Sequence, residues 1–163
     1  MKKIVFALLL ILCLCSCTKN QIELKLTEIT FTAELSYFNE VYVFDGHIDK
    51  EVTLIAKIKE PEGLQDLKLT VNADGITADY KGLTYTANEA TMPFSKIVSD
   101  FYGPIGFLCK NQSALEERDG EISGKFGNAE YVLTVSPTGL PQKLDISSQH
   151  IAVKFYNVSI KED

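Results

Sequence analysis

"LKLTVNADGITADYKGLTYTA", residues 67–87, decides the fold class because apolar and polar residues alternate along it. A period of two residues is the pattern of a β-strand with one buried face. Asp74 followed by Gly75 is a strong signal for a tight hairpin, and Lys81 with Gly82 marks another turn. The stretch therefore predicts consecutive strands of an antiparallel sheet joined by short turns.

The same alternation extends along the chain on both sides of this stretch. Apolar residues recur at every second position in four further runs: Ile29, Phe31, Ala33, Leu35 and Tyr37; Val52, Leu54, Ala56 and Ile58; Tyr131, Leu133 and Val135; Ile151, Val153 and Phe155. An earlier run of opposite parity comprises Ile22, Leu24 and Leu26, which predicts a bulge or bend near Thr27 and Glu28. About nine strands with short connections and one apolar face predict a large antiparallel sheet with one solvated side.

The segment "MPFSKIVSDFYGPIGFLCKN", residues 92–111, follows a helical period instead. Its apolar stripe comprises Phe94, Ile97, Val98, Phe101, Ile105 and Leu108. Gly103 and Pro104 should kink or split this helix, because proline removes a backbone donor and crowds the preceding turn. The polar, glycine-bearing residues 114–127 that follow predict a loop or a ragged strand.

These elements predict a mainly β (α+β) fold. A sheet of this width should curl into an open half-barrel, and the kinked helix should lie over its concave face.

The amino terminus carries an export signal of a specific kind. Met1 is followed by two lysines and then by an uncharged apolar run, which is typical of a signal peptide. "LCSC", residues 14–17, fits the lipobox and therefore resembles the signal of a bacterial lipoprotein precursor. The resemblance implies that the Cys17 thiol is alkylated with diacylglycerol and that the chain is cut just before it. A metal site or a disulfide within the three-cysteine cluster is the alternative interpretation.

The resulting organisation has three parts. Residues 1–16 are the signal peptide, residues 17–21 the lipidated terminus with a short tether, and residues 22–163 one domain. The protein should sit at the extracytoplasmic face of a bacterial membrane. Thr18 stands where many lipoproteins retained at the inner membrane carry aspartate, so an outer-membrane location is open in a host with two membranes.

Composition restricts the classes of partner and chemistry. Removal of Lys2 and Lys3 leaves 16 − 2 = 14 basic against 22 acidic residues, a net charge of −8, which argues against nucleic acid and other polyanions. No motif for a nucleophile with its base, a phosphate loop or zinc ligation occurs. We therefore expect no enzyme and no cofactor. Residues 45–49, with His47 between two aspartates, are interpreted as a turn and not as a metal site.

The closing strands carry a family resemblance. "AEYVLTVSPTGLPQKLDI", residues 129–146, and "HIAVKFYNVSI", residues 150–160, place a Gly-Leu-Pro-x-Lys-Leu turn between strands. With the long meander and the interrupting helix, this layout looks like the LolA/LolB and LppX-type lipoprotein superfamily. The resemblance implies an incomplete barrel with a helical lid over an apolar cavity that binds acyl chains of lipoproteins or glycolipids.

The leading hypothesis is therefore non-catalytic binding of a lipid or other apolar ligand between the stripe and the concave sheet. The same stripe could instead simply fill the core. In that case the protein is an envelope scaffold or protein-interaction lipoprotein with no ligand. Cys109, the last thiol of the mature chain, is either a small buried hydrophobe or a reactive group.

We predict that Cys17→Ala abolishes metabolic labelling by a palmitate analogue, because the substitution removes the sulfur that would carry diacylglycerol. Labelling in cells followed by gel fluorescence measures this. Cys15→Ser is the matched control: it keeps a small residue before the cleavage site, so its labelling should persist. Persistent labelling of Cys17→Ala would show that the lipobox lies elsewhere.

Overall fold

The computed structural model describes residues 23–87, 93–111 and 117–161, with side chains omitted at residues 87, 93–95 and 117. The signal peptide, Cys17 and the tether lie outside the described residues. The strands and the helix, in chain order, are β1 Ile29–Tyr37, β2 Glu40–Ile48, β3 Leu54–Glu60, β4 Lys68–Asn72, β5 Gly75–Tyr80, β6 Leu83–Ala87, α1 Pro93–Lys110, β7 Glu117–Arg118, β8 Glu121–Phe126, β9 Ala129–Val135, β10 Pro141–Ile146 and β11 Ile151–Ile160.

All strands of the described residues belong to one antiparallel sheet. Its order is β6-β5-β4-β3-β2-β1-β11-β10-β9-β8-β7, eleven strands in a curved, unclosed sheet. Two meanders meet where the first strand pairs with the last, with Leu35 opposite Val153, and α1 connects the two edge strands along the chain. The predicted fold class is confirmed, and the strand number is eleven where about nine were expected from the alternation.

Alternating burial along the strands directs one face of the sheet onto a single core. In β1, Phe31, Ala33 and Leu35 are buried while their neighbours are half-buried. Phe101 of α1 lies between Phe44 and Phe155, at ring-centroid distances of 6.1 Å from each. The helix therefore covers the concave face, as predicted, and an aromatic cluster seats it there.

Residues 45–49 do not form the predicted turn. Asp45 and Gly46 lie in the middle of β2, and Gly46 faces the interior opposite Phe31. A Cβ atom at Gly46 would stand 2.3 Å from Cε2 of Phe31. The glycine therefore serves to admit the Phe31 ring from the neighbouring strand, a role that the Asp-Gly pair does not reveal in sequence.

The helix is continuous through Pro104, so the expected split does not occur. Proline in a helix interior costs about 3 kcal/mol. Burial of Phe101 before it and of Ile105 and Leu108 after it contributes about 1.5–3 kcal/mol for each side chain. The buried stripe therefore outweighs the local penalty of the proline.

Two further expectations at the chain level have different outcomes: the first is wrong, and the second is met by its strand alternative. Residues 23–26 form no strand, although Leu24 and Leu26 are buried; the Lys25 amide instead donates to the Gly139 carbonyl at 2.9 Å. β8 forms within the segment predicted as a loop or ragged strand, because it pairs with β9 over six residue pairs. The turn at Lys81 and Gly82 lies where the sequence predicted it.

Gly46→Ala should lower the free energy of unfolding by about 1–3 kcal/mol, because the new methyl group overlaps a ring that cannot move within a filled core. Urea denaturation followed by circular dichroism measures this. Gly63→Ala is the matched control, since a Cβ there meets no atom within 4 Å. Equal stability of the two variants would contradict the close approach of Phe31 to Gly46.

Candidate functional site

The predicted stripe lies on the inward face of α1. Ile97, Val98, Phe101, Ile105 and Leu108 are between 0% and 3% exposed. They belong to the same core cluster as the inward residues of the sheet. The side chain of Phe94 lies outside the described residues. The sequence therefore located the buried face of the helix correctly, and in this structure that face is occupied by the sheet.

An open cleft of about 680 Å³ runs along the opposite side of α1. The α1 residues that line this cleft are spaced three or four positions apart, so they lie on one face of the helix. The β4–β5 hairpin and Phe126 of β8 reach it from opposite halves of the sheet. Its lining comprises Val71, Asn72, Ala73, Gly75, Ile76, Lys96, Ser99, Asp100, Tyr102, Gly103, Gly106, Phe107, Lys110, Asn111 and Phe126.

Two glycines of α1, Gly103 and Gly106, lie at this cleft, and each has an aromatic ring packed against it. A Cβ atom at Gly103 would stand 2.5 Å from Cε1 of Phe126, so the Phe126 ring rests directly on the helix. The Phe107 ring lies beside it, with centroids 6.1 Å apart. Phe107 and Phe126 are 37% and 43% exposed. The cleft thus presents a ridge of apolar surface that is only half covered.

Charged residues stand at the rim of the cleft. Lys96 Nζ lies 2.5 Å from Asp100 Oδ2, one helical turn later. Lys110 occupies the last turn of α1, where a positive charge complements the helix dipole. The rim is therefore of mixed charge, and the apolar surface lies between its charged groups.

Tyr102 fixes the helix beside the cleft. Its hydroxyl donates to the Val52 carbonyl at 2.6 Å, and burial raises the pKa of this phenol. The receiving loop is itself ordered by Asp49, whose side chain accepts from the Glu51 and Thr53 amides at 2.9 and 2.8 Å. The cleft wall on this side is therefore held by hydrogen bonds in addition to apolar contacts.

The chemistry of residues 45–49 is accounted for within the fold. Asp45 accepts from Thr32 at 2.9 Å and pairs with Lys59 at 2.7 Å, and His47 Nδ1 lies 3.0 Å from the Ile29 carbonyl oxygen. Over the described residues, no three His, Cys, Asp or Glu side chains are grouped to hold a metal ion. These side chains connect neighbouring strands.

Cys109 lies at the end of α1, half-buried against the core. Burial raises the pKa of its thiol to about 11, against the smaller opposing effects of a backbone hydrogen bond and Lys110. The thiol is therefore protonated near neutral pH. This geometry favours the small buried hydrophobe over the reactive group.

The cleft itself was missed in the sequence. Its walls come from the outward side of α1, from a hairpin tip and from Phe126, which lies in the segment predicted as a loop or a ragged strand. The available signal was the spacing of Gly103 and Gly106, three residues apart on the outward side of an amphipathic helix.

Comparisons with known proteins leave the family open. No family model matches the sequence, and no curated protein matches it either. Among solved structures, the chain is similar to the crystal structure of a LolA superfamily protein from Nitrosomonas europaea, with a TM-score of 0.43 and 8% identity over 88% of this chain and 90% of that chain. The function must therefore be derived from the residues of this chain.

Alkylation of Cys109 by iodoacetamide should be about a hundredfold slower at pH 8 in the folded protein than in the urea-unfolded one, because a thiol of ordinary pKa near 8.5 carries far more thiolate there. The mature chain from residue 18 has this one thiol, so mass spectrometry reports its rate directly. The folded rate should keep rising about tenfold per pH unit up to pH 10. A rate that levels off near pH 9 would contradict the raised pKa.

Proposed function

We propose that this protein is an exported bacterial lipoprotein, held at the extracytoplasmic face of a membrane through Cys17, that binds an apolar chain without catalysing a reaction. The observation that carries the proposal is the open cleft between the outward face of α1 and the β4–β5 hairpin. The lipobox at residues 14–17 supports the anchor.

The size of the cleft suits a ligand. Small-molecule sites in proteins occupy about 300–1,000 Å³ and combine apolar walls with a few polar groups. The cleft has about 680 Å³. Its apolar floor and charged rim match an elongated molecule with a hydrocarbon chain.

Half-exposed rings give the ligand something to bind. Complete burial of a phenylalanine side chain contributes about 1.5–3 kcal/mol, and Phe107 and Phe126 still expose 37% and 43% of their surface. Gly103 lets the Phe126 ring lie directly against the helix backbone, so a methylene chain in the cleft would contact the Phe107 and Phe126 rings. Affinity would come from covering this ridge.

Binding at the inward stripe would need a moved helix. Phe101, Ile105 and Leu108 are at most 1% exposed, and exposing each of them costs about 1.5–3 kcal/mol. A ligand that reached Ile97 or Val98 would have to repay that cost with its own contacts. The open cleft is the site that requires no such movement.

The anchor would keep the domain near its membrane. The tether between Cys17 and the first described residue, Glu23, spans at most about 20 Å when fully extended. Two acyl chains on Cys17 would give a stable attachment where one gives a marginal one. Within the described ranges, no helix has both the length and the hydropathy needed to cross a bilayer.

A second candidate function, an envelope scaffold, is favoured by one observation. β6 ends the sheet among the described residues, and its Leu83 is 76% exposed. An exposed edge strand can pair with a strand of another protein. Co-purification of a stoichiometric partner, together with no binding of lipid, would support this function over the first.

Gly106→Leu should weaken binding of a fluorescent fatty acid at least tenfold, because the new side chain would fill the cleft. Leucine gains about 1 kcal/mol of helix propensity over glycine, but Gly106 is buried and Tyr102 Cζ would stand 3.4 Å from its new Cβ. Urea denaturation of the same variant therefore checks that it is folded before its affinity is compared. Fluorescence titration of the mature chain measures the affinity.

The matched control is Gly63→Leu, which lies in open space outside the cleft and should leave the affinity unchanged. Native mass spectrometry of the purified protein should show bound lipid. Unchanged affinity in Gly106→Leu would rule out the cleft, and absence of any lipid binding would rule out the proposed function.

A further inference from the structure

A second depression, of about 330 Å³, adjoins the cleft at the amino-terminal half of α1. It shares Ser99, Asp100 and Phe126 with the cleft. Its complete lining comprises Ser99, Asp100, Phe126, Asn128, Ala129, Ser148 and Gln149. We call this depression the polar pocket, since five of these seven residues have side chains that form hydrogen bonds.

One residue that lines the polar pocket, Gln149, has a buried oxygen without a hydrogen-bond partner. Gln149 Oε1 is inaccessible to solvent and has no hydrogen-bond partner among the described residues. Gln149 lies in the short helical turn Ser147–Gln149, which is closed by the His150 amide donating to the Ser147 carbonyl at 3.2 Å. A buried polar atom without a partner is destabilising. Rotation of the Gln149 amide toward a ligand hydroxyl in the polar pocket would supply that partner and would therefore add affinity.

The chemistry of the lining selects a neutral ligand. Asp100 contributes a carboxylate that Lys96 neutralises at 2.5 Å, and no basic side chain is among the lining residues. Phosphate and carboxylate groups would therefore meet no unpaired cation there. Hydroxyl groups both donate and accept, so they can serve amides, carboxylates and serine hydroxyls alike.

Phe126 adds an apolar wall to the polar pocket. Phe126 lines both the polar pocket and the cleft and is 43% exposed. A ring-shaped polyol has an apolar C–H face and a polar rim, which match an aromatic wall beside amide and carboxylate groups. A volume of about 330 Å³ is large enough for one such ring.

From this arrangement we infer that the polar pocket binds a neutral polyhydroxylated group the size of one sugar ring. The group could be a free sugar or the headgroup of an amphiphile whose chain lies in the cleft. The second case rests on the proposed function, and the first does not.

Octyl glucoside and octyl tetraethylene glycol, titrated below their micelle concentrations, test the amphiphile. Both are uncharged and have the same alkyl chain, so a difference in affinity reports the headgroup. Circular dichroism of the mature chain first checks that it is folded without its lipid. The glucoside should bind about tenfold more tightly, the effect of one or two hydrogen bonds.

Methyl glucoside tests the free sugar. Its addition should shift the side-chain amide signals of Asn128 and Gln149 in nitrogen-edited NMR spectra, with no shift at Phe107 in the cleft. Shifts with octyl glucoside alone would identify a headgroup that needs its chain. Shifts with both would identify a sugar site that acts independently of the cleft.

Gln149→Leu should remove the tenfold preference for the glucoside and leave fatty-acid affinity unchanged, because the leucine keeps the volume and loses the hydrogen bonds. Gln142→Leu, an exposed position of β10 outside the polar pocket, should retain the preference. Ser148→Ala provides a second variant and should reduce the preference by a smaller factor.

The proposal is overturned if octyl glucoside binds no more tightly than octyl tetraethylene glycol and methyl glucoside shifts neither amide. Fatty-acid binding in that case would leave the proposed function standing. The converse result is amide shifts with methyl glucoside and no fatty-acid binding. It would support sugar binding in the polar pocket and rule out the cleft as a site for an apolar chain. A preference that survives Gln149→Leu and Ser148→Ala would also overturn the assignment.

Discussion

The pairing of β1 with β11 is the constraint on which the whole structure depends. These strands lie at opposite ends of the chain, and contacts such as Thr30 Oγ1 to Ser159 Oγ at 2.8 Å and Lys154 to Glu34 at 3.2 Å join them. Each meander alone has about half the sheet. Joined, they form a surface wide enough to curl around one helix, and loop-closure entropy rises only slowly with the length of chain between them.

The two faces of α1 differ in burial: the inward face is packed against the sheet, and the outward face lines the open cleft. Phe101 holds the inward face in an aromatic cluster with Phe31, Phe44 and Phe155, in which the contacting pairs have ring centroids 5.2–6.3 Å apart. The outward face has glycine where bulk would close the cleft. Because the inward face is fixed, the outward face can remain incompletely covered without loosening the helix, which is the condition for a preformed binding site.

Sequence reasoning succeeded wherever one residue's neighbours decide its conformation. Alternation predicted β1, β3 and β4, and Lys81 with Gly82 predicted the β5–β6 turn. It failed at Asp45 and Gly46, because the reason for that glycine is a ring on another strand, 2.3 Å from where its Cβ would be. A tight turn and a close approach of another side chain both select glycine, so the residue alone does not distinguish them.

The candidate site was predictable only in part for the same reason. The buried stripe follows from helical spacing. The cleft and the polar pocket do not, since Val71, Phe126 and Gln149 reach α1 from three separate parts of the sheet and its loops. Their meeting depends on the register of the strands and on curvature, which no single segment encodes.

Strand register also places the two depressions relative to the first described residues of the chain. Ile29 pairs with Ile48 and with Ile160, and Lys25 contacts Gly139, so these residues mark the end of the sheet nearest the amino terminus. The β4–β5 hairpin of the cleft lies at this end. Gln149 of the polar pocket lies at the other end, beyond the Tyr37–Ile151 pair.

The two ends are separated along β1 by about 26 Å, eight residues at roughly 3.3 Å each. An amphiphile that filled both depressions would therefore place its headgroup at the Gln149 end of the sheet and its chain along α1 toward the β4–β5 hairpin. Its length would have to match this separation, because strand register fixes the distance between the two ends.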